Sequence, residues 1–441
     1  DPWFRGMDLS TGPDGNVFAI DWSDTGECHE HTGVHRESGR VFKISYGDES
    51  TTKTKHPTTD VAVWSQSELA NAHLPGNRWQ LRQARLLLIE RANAGQDISA
   101  ATSRLHQIFA ASDTRESTAV QSLLTLHACS ATTPDDLTAL LDHPFEHVRV
   151  WAIRLLSETW PIDDVMGADW KAKLPEPASA TFKALTTRFA TMARLDSSAA
   201  VRLTLASTLQ RLPLKHRAAL AKPLATRGED ADDHNIPLMI WYGVMPLGKS
   251  HHEDLVSVAS TCQQPRLTQL IARCLAEEIT RSPAAIDALL AKVAESNDRE
   301  FQLAVLSGVS EGLRGWASAE RPDSWDPIVE MKHDELRPLI RELSVVFGDG
   351  RAMDEVKQIA LGKLAKDLNE PIPFETRLAA LQTLIQSQSK ELRPVCEKLI
   401  NDARMNVLAA KGLATFDDPK VAVTLVSGYN RFRGPDKPQI V

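Results

Sequence analysis

Residues 142–156 read DHPFEHVRVWAIRLL: an acid or turn residue, a short gap, an apolar residue, then an arginine opening an apolar run. The arrangement returns three more times, as DSSAAVRLTLASTL (196–209), HDELRPLIRELSVV (333–346) and PFETRLAALQTLI (373–385). In the third stretch Leu336, Leu339, Ile340, Leu343, Val346 and Phe347 follow the spacing of one face of an α-helix. Phe374, Leu378, Leu381, Leu384 and Ile385 do so in the fourth. Asp142, Asp196, Asp334 and Asp402 stand where an acid caps or nearly caps a helix, and Pro134, Pro144 and Pro283 sit near first turns. The recurrence places Arg149, Arg202, Arg337 and Arg377 at comparable positions, where pairing with acids of neighbouring units is the structural expectation. Leu339, Leu343, Leu381 and Leu408 are expected in the core.

Units of very roughly 40 residues built this way resemble HEAT repeats, in which two antiparallel helices form a unit and units stack on their neighbours. The resemblance runs from about Trp79 to Gly428. The fold class is therefore mainly α, a HEAT-like (armadillo-like) α-solenoid, preceded by a small β segment.

That segment occupies residues 1–47. Met7 to Leu9 leads to the turn tetrapeptide Gly12-Pro13-Asp14-Gly15, then to the β-prone Val17–Ile20, and residues 40–46 alternate again. Three or four short strands make one sheet that cannot bury both of its faces alone, as in the last blade of a truncated β-propeller whose other blades lie upstream. Residues 48–78 read as linker and lead-in, because their first part is polar with no apolar period, and residues 79–441 as the solenoid.

Between the last two strands lies DWSDTGECHEHTGVHRESGRVFK (21–43), which crowds one Cys and three His among carboxylates. Cys28, His29, His31 and His35, with Asp21, Asp24, Glu27 and Glu30 nearby, are ligand types for Zn²⁺, Cu or haem iron. No spacing here matches a known closed site. Metal or cofactor binding, a structural loop, and contact with another domain all remain open readings. His234 and the acids before the helix containing Trp241 and Tyr242 read as a capped inner helix, and His251-His252 as a solvated helix start.

With 58 acidic against 50 basic residues and no basic cluster, nucleic acid is not an expected partner. No stretch reaches the ~20 apolar residues of a membrane span. The five cysteines show neither C-x-x-C nor C-x-x-C-H spacing, which excludes covalent c-type haem within residues 1–441. The chain also lacks G-x-S-x-G, H-E-x-x-H and P-loop patterns, so no catalytic residue is assigned.

Four stretches, residues 21–44, NRWQLRQARLLLIERANAGQD (77–97), DDHNIPLMIWYGVMPL (232–247) and SGYNRFRGPDKP (427–438), together resemble the membrane-bound dehydrogenase-like proteins of the Planctomycetes and Verrucomicrobia. The resemblance implies a sorbosone-dehydrogenase-like propeller, a HEAT-like region and a C-terminal haem-binding, cytochrome-c-like domain in the parent protein. This chain would cover the last blade and the helical region, with haem c and its C-x-x-C-H beyond Val441. The implied function is a non-catalytic interdomain scaffold in an exported, periplasmic or cell-envelope electron-transfer protein, whose partners are the flanking propeller and cytochrome-like domains. The alternative is a scaffold that binds a separate protein on the concave solenoid face.

Overall fold

The computed structural model describes residue 4 and residues 6–21, 39–45, 60–163, 179–363 and 372–440. The protein is mainly α-helical with a small N-terminal sheet, and it divides into two compact units, Asp1–Glu158 and Thr159–Val441. Among the described residues the last strand ends at Ile44.

In the first unit, strands β1 (Gly6–Thr11), β2 (Val17–Asp21) and β3 (Arg40–Ile44) pair antiparallel in the order β1-β2-β3. The expected turn joins β1 to β2. Gly15 takes φ +79°, a conformation that costs glycine little, and Asp14 Oδ1 accepts the Asn16 N–H at 3.1 Å. Asp14 also pairs with Lys43 of β3, which holds its carboxyl well below the usual range and ties the turn to the third strand. Both faces of the sheet carry apolar side chains. Ile20 and Val41 lie opposite one another on one face, and Val41 is 69 % exposed; Leu9 and Ile44 share the other face and are exposed as well, although Ala19 between them is buried.

Among the described residues helical structure begins with a single 3-10 turn at Val61–Val63 and an α-helix at Gln66, inside the region 48–78 read as linker and lead-in. Ser65 and Glu68 form a reciprocal capping box at the start of helix Gln66–Asn71, and Val61, Leu69 and Ala70 join Ala84, Leu88, Ala101, Leu105 and Leu126 in one core. Helix Gln66–Asn71 packs on Ser99–Ala110, Arg78–Asn93 on Glu116–Ala128, and Glu116–Ala128 on Glu146–Ser157. Packing between every second helix puts alternate helices in two layers.

The second unit repeats the rule over a longer stretch. Helix Ser179–Leu195 packs on Leu214–Ala225, Ala199–Thr208 on Ile236–Val244, Leu214–Ala225 on His252–Ala259, and His252–Ala259 on Pro283–Glu295. The closest approach joins Pro265–Glu277 to Arg299–Gly312. A Cβ on Gly308 would stand 2.3 Å from the Gln269 carbonyl oxygen and 2.8 Å from Ala272 Cβ; one on Gly312 would stand 2.6 Å from the Arg273 oxygen. Residue numbers rise together along the two helices, so they run parallel, as alternate members of a two-layer array must. Pro283–Glu295 connects them by short turns.

Leu343 and Leu381 are buried as expected, whereas Leu339 and Leu408 are half-buried, Leu408 packing against the last core cluster. That cluster gathers Leu381, Leu384, Leu392, Val395, Leu399 and Leu413.

Candidate functional site

The candidate ligands Cys28, His29, His31 and His35 lie outside the described residues, as do Asp24, Glu27 and Glu30. Asp21, at the edge of the same stretch, is described and buried. Arg40 Nε donates to its Oδ2 at 2.7 Å, so this carboxylate is committed to an ion pair closing the end of β2 and β3. Among the described residues no group of three or more His, Cys, Asp or Glu is placed to hold a metal ion.

The other histidines singled out in the sequence have local roles. Asp233 Oδ1 accepts the N–H groups of Asn235 and Ile236 at 2.8 Å each, which caps helix Ile236–Val244 beside the exposed His234. His251 stands at the start of helix His252–Ala259, with Nδ1 2.7 Å from Ser250 Oγ.

The recurring arginines separate into two groups. Arg202 is buried, and its Nε and Nη2 meet the two oxygens of Asp230 at 2.6 and 2.5 Å while Nη1 donates to the Asp196 carbonyl at 3.0 Å. The bidentate hydrogen bond to Asp230 raises the guanidinium pKa further. Arg377 reaches Asp402 at 3.1 Å, and Arg393, outside the quoted pattern, reaches Asp418 at 2.7 Å. Each of these pairs joins one helix start to a turn or cap some 25–28 residues further on. Arg149 instead donates to the carbonyls of His143 and Pro144, and Arg337 stays exposed 3.7 Å from Asp334 in its own turn.

A second set of side chains closes helix ends. The last carbonyls of a helix have no partner within it, and here neighbouring turns supply donors. Gln264 Nε2 donates to the carbonyls of Leu224 and Arg227 at 3.0 and 3.1 Å, Gln302 Nε2 to those of Val293 and Ser296, and Arg227 Nη1 to that of Arg194 at 2.6 Å. Arg217, buried within Leu214–Ala225, bridges Asp163 Oδ2 at 2.7 Å and the Gly243 carbonyl at 2.8 Å. Gln264, Gln302 and Arg217 escaped the sequence reading because glutamines and arginines in helical runs look like solvated positions. Asp230 was visible only as the first acid of the run DADDH, whose cap is Asp233.

Along these turns runs an open groove of about 620 Å³, lined by Gly228, Asp232, Cys262, Arg266, Asp298 and Glu300 among others. It takes residues from three successive turns, and three carboxylates face one guanidinium. The Cys262 thiol is pushed up by burial, as are those of Cys274, to about 11, and Cys396, to about 12. All three are protonated at neutral pH, Cys396 buried and Cys262 and Cys274 half-buried, which disfavours a nucleophilic role.

No protein-family profile matches the chain, and no curated protein matches it. Among solved structures, an engineered protein from a structural genomics consortium aligns over 87 % of this chain and 97 % of its own, with 12 % identity and a TM-score of 0.30. Likeness at that level carries no argument about fold or function.

Proposed function

We propose that the chain is a non-catalytic scaffold whose stacked helices hold flanking domains at a fixed separation. The observation that carries this reading is the set of buried clamps between residues 163 and 302, in which Arg202–Asp230, Arg217 and Gln264 join one turn to another and Gln302 closes the end of the preceding helix. The Nε2 donors of both glutamines and the guanidinium groups of Arg202 and Arg217 are bonded, although Gln264 Oε1, Gln302 Oε1 and Asp163 Oδ1 are not, and breaking these bonds would strand further groups in a low-dielectric interior. The second unit is then the stiff part of the scaffold.

In the finer form of the proposal the spacer belongs to an exported, haem-associated dehydrogenase-like protein, the N-terminal sheet being the last blade of a propeller and a cytochrome-c-like domain following Val441. Two observations support it: the sheet exposes apolar side chains on both faces, as a blade between other blades would, and the four sequence stretches resemble that family. The test is to express the complete coding sequence with export and haem-maturation machinery, then stain a denaturing gel for haem. A covalent haem together with a C-x-x-C-H beyond residue 441 is the expected result; a complete reading frame without that motif refutes the redox reading.

The groove along residues 228–301 favours a second reading, a scaffold for a separate basic protein segment, since Asp232, Asp298 and Glu300 outnumber Arg266 there. Lysine-rich peptides should bind more tightly than glutamate-rich ones and release with salt. Equal binding of both sets removes this alternative.

A further inference from the structure

We propose that His73 is an acid-operated latch in the first unit: its neutral ring pins residues 60–76 to helix Glu116–Ala128, and a positive charge on the ring releases that segment. His73 is 1 % exposed, just past the short helix Gln66–Asn71, and both of its hydrogen-bond partners are neutral. Nδ1 lies 3.1 Å from the Ala70 carbonyl oxygen of its own segment and Nε2 2.8 Å from Thr125 Oγ1 of the longer helix, so the ring is a polar link between the two. Release would uncover Ala84, Leu88, Ala101 and Leu105, the apolar core that Val61, Leu69 and Ala70 close.

Proton bookkeeping in the bonds sets the switch. The Ala70 carbonyl oxygen can only accept, so Nδ1 carries the proton of the neutral ring and Nε2 presents a lone pair. The single proton of the Thr125 hydroxyl answers that lone pair, while the same oxygen accepts from Arg85 Nε at 2.9 Å. A second proton, on Nε2, puts these bonds in conflict. Both nitrogens then donate to one oxygen, and two positive charges stand within about 6 Å of each other, close enough for each to disfavour the other. The Thr125 hydroxyl can turn its proton to the Gln121 carbonyl at 3.0 Å, which relieves neither charge.

Among the described residues no carboxylate acts on the ring to offset that second charge. The charged groups around it and its cleft are Arg85 and Arg78 of helix Arg78–Asn93 and Arg115 at the start of Glu116–Ala128, with the thiol of Cys129 at the end of that helix kept protonated by burial. Arg104 of helix Ser99–Ala110 is held by Asn71, Glu68 of the preceding short helix by Ser65, and Glu116 by His147, while Asp113 is exposed in the turn before Arg115. Burial first and Arg85 second therefore hold the ring's pKa down at about 4, against 6.5 once the segment is released. An open cleft of about 150 Å³ beside the ring, lined by Leu74, Asn77 and Ser117 among others, gives water a path to it.

The latched state holds the lower pKa, so the opening equilibrium grows as pH falls from 6.5 to 4, by up to about 300-fold, and levels off below. The experiment follows amide hydrogen exchange of the full chain from pH 7 to pH 4, each rate corrected for its intrinsic pH dependence. Protection of residues 66–76 should fall by at least about 50-fold, while that of helix Glu146–Ser157 in the same unit holds within about threefold. His73→Gln should abolish the slope, and Arg85→Gln, which removes the second cation, should reduce it. Arg82→Gln, exposed on the same helix as Arg85, should leave it unchanged. A fall shared by Glu146–Ser157 means that the whole unit unfolds in acid, and an undiminished slope in His73→Gln assigns it to other groups; either result overturns the proposal, as does constant protection across the range. Should His73→Gln not fold, the comparison of Arg85→Gln with Arg82→Gln decides, and equal slopes there overturn the latch.

Discussion

The three-stranded sheet and the helices of the second unit close their surfaces in opposite ways. Around Arg202, an apolar helix face meets its partner within a few tens of residues, and Leu205, Ile240, Val258 and Ile271 are all fully buried. Even the charged group at the helix start is enclosed, because Asp230 comes round on the next turn to neutralise it. In the sheet, Met7, Leu9, Val41 and Ile44 remain more than half exposed. The difference is geometric. A helix presents one apolar stripe, which an adjacent helix covers, whereas a sheet presents two faces and three strands supply nothing to lay across either. Local partners complete the helical cores; among the described residues of the sheet, apolar side chains on both faces stay exposed.

Four measurements break or sharpen that contrast. Asp230→Ala should have the largest effect, about 3–5 kcal/mol in urea unfolding, since it leaves the Arg202 guanidinium buried without its counter-charge. Replacing both by leucine should recover much of that loss, and an Asp230→Ala cost below about 1 kcal/mol would mean that the clamp is open to solvent. Next comes acid. The folded-state pKa of His73, about 4, lies below the ordinary value of 6.5, so as pH falls through 6.5 the unfolded chain takes a proton that the folded chain refuses. Stability should therefore decline between about pH 6.5 and 4, by up to about 3 kcal/mol, and level off below. Unfolding curves of His73→Gln should lack that slope.

Gly308→Ala tests the tightest helix contact. Its added methyl would stand 2.3 Å from the Gln269 carbonyl, within fixed backbone, and should cost about 1–3 kcal/mol. Gly315→Ala is the counter-check of a different kind, since nothing surrounds that position but its φ is +86°, so any loss there reports backbone strain rather than crowding. The smallest effect belongs to the sheet. Val41→Thr, at a site 69 % exposed, should change stability by no more than about 0.5 kcal/mol. A loss above about 1 kcal/mol would show that this face is covered in solution.

Much of this architecture was legible before any coordinates. The change of apolar period from two to 3.6 separates strands from helices because each backbone presents side chains at its own repeat, whatever lies around it. The turn at Gly12–Gly15 was equally readable, since a positive φ at Gly15 is a local demand. Reading the helical region from Trp79 missed its beginning at Gln66. The Ser65–Glu68 capping box was in the sequence, but the helix it opens is only six residues long, too short to show a period. Of the candidate sites, the Cys28, His29, His31 and His35 set rests on a crowding of ligand residue types in one loop, and it lies outside the described residues.

The arginines draw the line between the two sources of information most sharply. Arg202 and Arg377 are the fourth residues of their helices and Arg337 the first of its own, and the motif determines only that each lies in the first turn of a helix, because periodicity is local physics. Tertiary structure alone decides that Arg202 is enclosed with Asp230, that Arg377 reaches Asp402 half-buried, and that Arg337 lies in solvent beside Asp334. An ion pair takes its energy from the dielectric around it and from the position of a partner some 25 residues away, and neither quantity is written in the motif.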